Sequence, residues 1–178
     1  QASRSLLVNA DSIRNVGTES FSIPVVQSLI PFNAGVVFGR ISGVTRVEVK
    51  SGAVLKGGQG IAVQAHSENK LDVKAEASNG HDAEGKPATT TGFAAAMANT
   101  ALTTTAQVNA GASLNTRGDV SVLALSEQDI SNTASFKSIG NGAAGGAVLA
   151  LSVLDSDTRA AFDANLSGAR NLNVSATN

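Results

Sequence analysis

The chain has no cysteine, tryptophan or tyrosine, and its only aromatic residues are six phenylalanines. That excludes disulfides, thiolate chemistry, Cys-based zinc sites and the Trp/Tyr platforms on which sugars and bases stack. Charge is also scarce. Charged residues make up 15% of the chain, against roughly 25% in an ordinary globular domain. Thirteen Lys+Arg and fourteen Asp+Glu cancel to a net charge of −1, which leaves no field to hold nucleic acid or an anionic membrane. Long apolar runs are missing too. The most apolar stretch, residues 140–154, carries Asn141 and Ser152 and falls short of the ~20 residues that span a bilayer. Leu6-Leu7-Val8 is shorter than the apolar core of a secretory leader. With no initiator Met and no leader, the chain is expected to be a section of a longer protein. The lack of cysteine does not fix a compartment. What remains is 18 glycines among Ala, Ser, Thr and Asn, a composition that speaks of architecture. No enzyme activity, metal or cofactor is expected from it.

An internal repeat carries that architecture. Residues 49–71 lie over residues 108–130 without a gap, at a constant spacing of 59. Gly52/Gly111, Ala53/Ala112, Leu55/Leu114, Val63/Val122, Ala65/Ala124, Ser67/Ser126 and Glu68/Glu127 are identical. A third copy follows at a spacing of 52, with Leu166, Leu172, Val174 and Ala176 under Leu114, Val120, Val122 and Ala124. The N-terminal edge supplies the tail of another copy: Leu6, Val8, Ala10, Ser12 and Val16 lie 55 residues before Ile61, Val63, Ala65, Ser67 and Leu71. Upstream in each unit, residues 36–38, 95–97 and 147–149 occupy matching places. The units run approximately over 1–33, 34–92, 93–143 and 144–178, within a single segment. Their lengths differ in one stretch, near residues 18–33, 77–92 and 135–142, which reads as a surface loop.

Within the units apolar residues alternate. Val47, Val49, Ala53 and Leu55 point one way, against Glu48, Lys50, Val54 and Lys56. Ile61, Val63 and Ala65 alternate with Ala62, Gln64 and His66, as Leu71, Val73 and Ala75 do with Asp72, Lys74 and Glu76. This period of two, broken by Gly, Asn and Ser, is a strand signal. Segments 35–44, 94–102 and 144–154 are apolar or small on both faces. An Ala-rich helix competes at 93–102, but the β-branched residues at the equivalent places favour a strand buried on both sides. A unit of this kind cannot close a core alone and needs a neighbour above and below. The fold class expected is all-β: an elongated parallel β-helix, or β-solenoid, of ~52–59-residue repeats. A β-sandwich is the competitor, but sandwich strands seldom repeat in sequence at a fixed spacing.

Residues 145–162, GGAVLALSVLDSDTRAAF, and 111–124, GASLNTRGDVSVLA, resemble the β-strand repeats of very large bacterial exoproteins of the filamentous-haemagglutinin type. The resemblance covers nearly the whole chain, is specific to a repeat style, and carries over no catalytic residue. It implies a non-catalytic shaft or stalk of a secreted or cell-surface adhesin. The partners implied are neighbouring repeats of the same longer chain, with a host or matrix glycan or protein as a further partner. Neither nucleic acid nor membrane insertion by this segment is implied. Two other classes stand beside it: an adhesive module binding through its variable loops, and a β-helical carbohydrate-active enzyme.

Few residues are candidates for a site. Arg117-Gly118-Asp119 spells an integrin-recognition tripeptide and is the one candidate ligand-binding site, although Gly-Asp-Val is also ordinary turn chemistry. Gly57-Gly58-Gln59-Gly60-Ile61 is like a calcium-binding nonapeptide but has Ile61 where an Asp is needed and no tandem copies. His66, His81, Asp82 and Glu84 are the only residues of metal-ligating type that cluster, and three of them fall in a Gly/Pro-containing loop without a rigid frame. Asp155 and Asp157, with Lys70, Arg159 and Arg170 scattered around them, lack the sugar-stacking partners of a glycosidase. The runs Thr89-Thr90-Thr91 and Thr103-Thr104-Thr105 do not recur in register, as a flat ice-binding face would require.

Overall fold

A computed structural model of the chain describes residues 4–19, 23–25, 32–78, 90–137 and 144–178. Eleven strands follow one another: β1 (Leu6–Glu19), β2 (Ile23–Val25), β3 (Phe32–Val49), β4 (Val54–Gly57), β5 (Gly60–Ser78), β6 (Thr90–Val108), β7 (Ser113–Thr116), β8 (Asp119–Lys137), β9 (Ala144–Phe162), β10 (Asn165–Ser167) and β11 (Leu172–Thr177). The described residues contain no helix. The Ala-rich stretch at 93–102 is therefore strand. Inward Ala94, Ala96 and Ala98 stack on Gly35, Val37 and Gly39, and that tertiary stacking outweighs alanine's helix propensity.

The strands form three sheets. Sheet A has the order β1-β5-β8-β11, sheet B β2-β3-β6-β9 and the short sheet C β10-β7-β4. Every pairing is parallel except that of β2 with β3. Each of the three units from residue 34 onward thus contributes one strand to each sheet, beside its counterpart in the next unit, while the N-terminal fragment adds β1 to sheet A and the antiparallel β2 to the edge of sheet B. The pairings Ile61↔Val120 in sheet A and Val36↔Ala95 in sheet B both keep the 59-residue spacing read from the sequence. Likewise β1 lies on β5 with Leu6↔Ile61, and β11 on β8 with Val122↔Val174.

Alternation decides what is inside. Along β5, Ile61, Val63, Ala65, Leu71, Val73, Ala75 and Ala77 are all buried, while Glu68, Lys70, Lys74 and Glu76 between them are exposed. Sheets A and B close their inner faces over two clusters. One lies toward sheet C, around Val47, Val63, Val108, Leu114 and Val122. The other lies at the far end, around Val37, Ile41, Leu71, Val73, Ala96 and Leu102. A polar seam separates them. Ser67 and Thr104 hydrogen-bond across the two sheets at 2.8 Å, and Ser67 also donates to Ser126 at 3.4 Å. Asn69, itself buried, donates to Ser67 and accepts from Arg14. Ser67, Asn69, Thr104 and Ser126 are held in the interior by these mutual bonds, whereas the buried Thr45 Oγ1, in register with Thr104, has no hydrogen-bond partner among the described residues.

The structure corrects three expectations. First, β6 and β9 pair with Ala95↔Leu149 and Met97↔Leu151, so residues 149–151, not 147–149, match 36–38 and 95–97. The slip of two residues preserves the pleat, so every side chain keeps its face. In consequence Asp155 lies beside Ala101 and Asp157 beside Thr103.

Second, length variation is not confined to one stretch. The turn after β3 runs Lys50-Ser51-Gly52-Ala53 and the turn after β6 runs Asn109-Ala110-Gly111-Ala112. The Ala53 and Ala112 amides donate to the Lys50 and Asn109 carbonyls, both at 3.1 Å. Gly52 and Gly111 have φ of 80° and 82°, which makes these type II turns with glycine where the backbone is left-handed. The turn after β9 is shorter, because Phe162 pairs with Val108 but Leu166 already pairs with Leu114. The expected variable stretches also overreach: Thr18 lies in β1, Ala77 is buried in β5 and Gly92 in β6.

Third, sheet B is not buried on both sides. Val36, Phe38, Leu149, Leu151 and Val153 stand on its outer face, exposed.

Candidate functional site

The tripeptide Arg117-Gly118-Asp119 sits in the turn between β7 and β8, at one corner of the stack, with Arg117 and Asp119 exposed and Gly118 buried. Chain geometry dictates the glycine. A Cβ there would collide with the Gln59 carbonyl of the preceding unit. The Gly118 amide donates to Thr116 Oγ1 at 3.1 Å, and its carbonyl accepts from the Arg170 amide of the following unit at 3.0 Å. Asp119 Oδ1 accepts from Asn171 Nδ2 at 3.0 Å and lies 3.7 Å from Arg170 Nε. The corner therefore presents Arg117 to solvent and ties the Asp119 carboxylate to the next corner. This is a partly engaged carboxylate, and a ligand would have to compete with Asn171 and Arg170 for it.

The other candidates are dispersed. His81, Asp82 and Glu84 lie outside the described residues, as does Thr89. His66 projects outward from β5 and its Nδ1 stands 3.2 Å from Asp11 of β1. No group of three or more His, Cys, Asp or Glu side chains is placed to hold a metal among the described residues. Asp155 and Asp157 lie on the outer face of β9 and are exposed. Of the threonine runs, Thr104 points inward, stacked between Thr45 and Thr158, and is buried in the seam. Lys70 pairs with Asp129 of the next unit at 3.0 Å, and its pKa is raised above 10.5, first by that hydrogen bond and then by the charge of Asp129.

Two features escaped the sequence reading. The polar seam was visible as Ser12/Ser67/Ser126 and Thr45/Thr104, identical in type at equivalent places, but alternation by hydrophobicity assigns Ser and Thr no side. The outer apolar face of sheet B was visible as the odd-numbered residues of 147–153 and the even ones of 34–38, but was taken as interior. In register, Val36, Ala95 and Leu149 form one row and Phe38, Met97 and Leu151 the next.

No family model matches the chain, and no curated protein and no solved structure shows significant similarity to it.

Proposed function

We propose that this chain is a section of an elongated parallel β-solenoid. It serves as a non-catalytic shaft or stalk in a secreted or surface-exposed bacterial adhesin, with neighbouring repeats of the same longer chain as its direct partners. The observation that carries the reading is the stacking itself. Long strands in two sheets and short ones in a third each find their counterpart one unit on, in parallel and in register. The length of such a stack is set by the number of units. Support also comes from what occupies the surface: Lys70, Asp72, Lys74 and Asp129 form a mixed-charge outer face on sheet A, the solvated exterior of a rod.

The test is dimensional and functional together. Chains carrying additional units should lengthen by about 4.8 Å per unit, the spacing of neighbouring strands, as read by small-angle scattering or electron microscopy. A radius growing as for a compact globule would end the solenoid reading. A panel of glycans and matrix proteins addresses the rest. Binding abolished by changes at Arg117 and Asp119 would move the function from shaft to adhesive module, and release of reducing sugar from a polysaccharide would move it to an enzyme.

A further inference from the structure

The two outer faces of the stack differ sharply at one end. Around the core cluster of Val37, Ile41, Leu71 and Val73, sheet A turns Lys70, Asp72 and Lys74 to solvent, whereas sheet B turns out apolar side chains. These lie in rows across β3, β6 and β9: Ala34-Phe93-Ala147, Val36-Ala95-Leu149, Phe38-Met97-Leu151 and Arg40-Asn99-Val153. Val36, Phe38, Leu149, Leu151 and Val153 are each between 43% and 60% exposed, and Phe93 and Met97 are half-buried. They adjoin one another, unlike the single apolar residues scattered over an ordinary surface. Further along the same face the charges keep to its two margins, and β6 between them carries none. β3 has Arg40, Arg46 and Glu48, while β9 has Asp155, Asp157 and Arg159. In register, Asp155 is level with Ser42, Asp157 with Val44 and Arg159 with Arg46. The β3 margin is thus net positive and the β9 margin net negative.

We infer that this face docks a second copy of the chain, sheet B against sheet B. Charge selects the occupant and its orientation. A two-fold axis parallel to the strands keeps every row at its own level and lays β9 of one copy over β3 of the other. Val36 then stands opposite Leu149 and Phe38 opposite Leu151, while Ala95 meets its own counterpart at the low point where the sheets approach. Arg40 comes one row from Asp155 of the second copy, Arg46 one row from its Asp157, and Arg159 one row from its Glu48. Each of these pairs occurs twice by symmetry. Arg46 and Arg159 also fall opposite one another, and those acids, with the Arg46–Glu48 pair at 3.2 Å inside each copy, offset that repulsion. A two-fold along the stack, with the apolar rows superposed, lays β3 on β3 and brings no acid of one copy to Arg40 of the other. The complementary margins therefore specify one arrangement. Size sets its strength. With strands about 4.8 Å and rows about 6.7 Å apart, the apolar part measures about 14 by 27 Å, or about 400 Å². The charged rows raise this to about 650 Å², against about 800 Å² per partner in a stable interface. The pair is a reversible dimer. Its two stacks run in opposite directions while their strands run the same way, so in a shaft it joins molecules projecting from facing surfaces. That consequence alone rests on the shaft reading.

The experiment uses the full chain and reads dimerisation by sedimentation velocity up to about 1 mM. Arg40→Asp and Asp155→Arg should each weaken dimerisation at least tenfold, because each variant alone brings like charges together across the axis. An equimolar mixture of the two should regain dimers, since every such contact between unlike variants is complementary again. Phe38→Ser, at an exposed position, should abolish dimers while hydrogen exchange along β5 stays unchanged, which shows the stack intact. Failure of the mixture to recover, or dimerisation indifferent to Phe38→Ser, would overturn the pairing. So would a chain that stays monomeric throughout. If that monomer instead floats with phosphatidylcholine vesicles and loses this with Phe38→Ser, the occupant is a lipid surface and the second-copy assignment is wrong. The shaft reading fails separately. Chains that lengthen with added units yet never dimerise overturn the pairing alone, whereas dimers whose chains grow as compact globules overturn the shaft alone.

Discussion

Replacing Val122 with Asp probes the stack at its most demanding place. Val122 is 0% exposed, in register between Val63 and Val174, and belongs to the cluster of Leu114, Val120 and Ala124. Removing the valine forfeits about 1.5–3 kcal/mol of burial. The carboxylate finds no cationic partner among these neighbours, so it stays neutral at pH 7. Raising a pKa from about 3.9 past 7 costs about 4 kcal/mol. The combined loss of about 5–7 kcal/mol rivals the total stability of a domain, about 5–15 kcal/mol. Val174 has the same neighbour on one side only and is 41% exposed. There the carboxylate keeps most of its water, and the last strand can fray without the rest. About 1–2 kcal/mol is expected, as for ordinary half-exposed substitutions. Urea unfolding at pH 7 reads both. Should Val122→Asp prevent folding, Val122→Ala and Val174→Ala preserve the comparison, with about 2 kcal/mol expected at the first and under about 1 kcal/mol at the second. Equal losses at the two positions would refute a one-dimensional stack, and a negligible loss at Val122 would invert the assignment of inside and outside.

Four further outcomes are expected. Gly52→Ala should destabilise by about 1–2 kcal/mol through its left-handed backbone alone, since a Cβ there meets nothing within 4 Å; thermal melts against Gly17→Ala, which is equally open, isolate the term. Gly92→Ala drives a methyl into the Phe136 ring, and calorimetry should show a loss of about 1–3 kcal/mol that shrinks in the double variant with Phe136→Leu. Trimming residues 79–89 to the length of 138–143 should leave the melting temperature nearly unchanged, because closure entropy changes by about 0.6 kcal/mol per doubling of length. Extending the deletion to Ala77 should unfold the far end, since that side chain is fully buried. Asp129→Asn should lower the Lys70 pKa back toward 10.5 in an NMR titration. Because the pKa is raised by folding, the pair's contribution is complete below 10.5 and fades only as pH climbs through the folded value, so stability near neutrality should show no dependence on it.

The parts legible in the sequence were those where chemistry repeats with a sign. Val63/Val122 and Leu55/Leu114 are apolar in both units, so spacing and alternation together gave the register of sheet A and the inward face of β5. Sheet B was harder to read. Its segments are small or apolar on both faces, so alternation vanishes, and the two-residue slip of β9 had nothing to mark it. A Gly-Ala-Val-Leu stretch fits its neighbour almost equally well at either register. What fixes it is tertiary: the stacking of Thr158 on Thr104 and of Phe162 on Val108. The exposed outer row of Val36, Phe38, Leu149 and Leu151 was missed for a related reason. Hydrophobicity alone does not reveal which of two apolar faces lacks a covering layer. Arg117-Gly118-Asp119 was found by its spelling, but the tie from Asp119 to Asn171 lies between residues far apart in sequence and only the fold brings it into view.

Parallel, in-register stacking is the claim on which everything else depends, and the absence of cysteine makes it directly measurable. In neighbouring strands, residues in register have Cα atoms about 4.8 Å apart, within the range a disulfide bridges; a two-residue offset puts them about 8 Å apart, beyond it. Cysteines are placed in pairs at outward positions of β5 and β8: 62 with 121 and 74 with 133, each partnered in register, with 62 and 123 as the offset control. Mild oxidation of the folded monomer should close both in-register pairs and leave the control open. Closure of only one of the two, as antiparallel strands would allow, or ready closure of the offset pair, would contradict the stack.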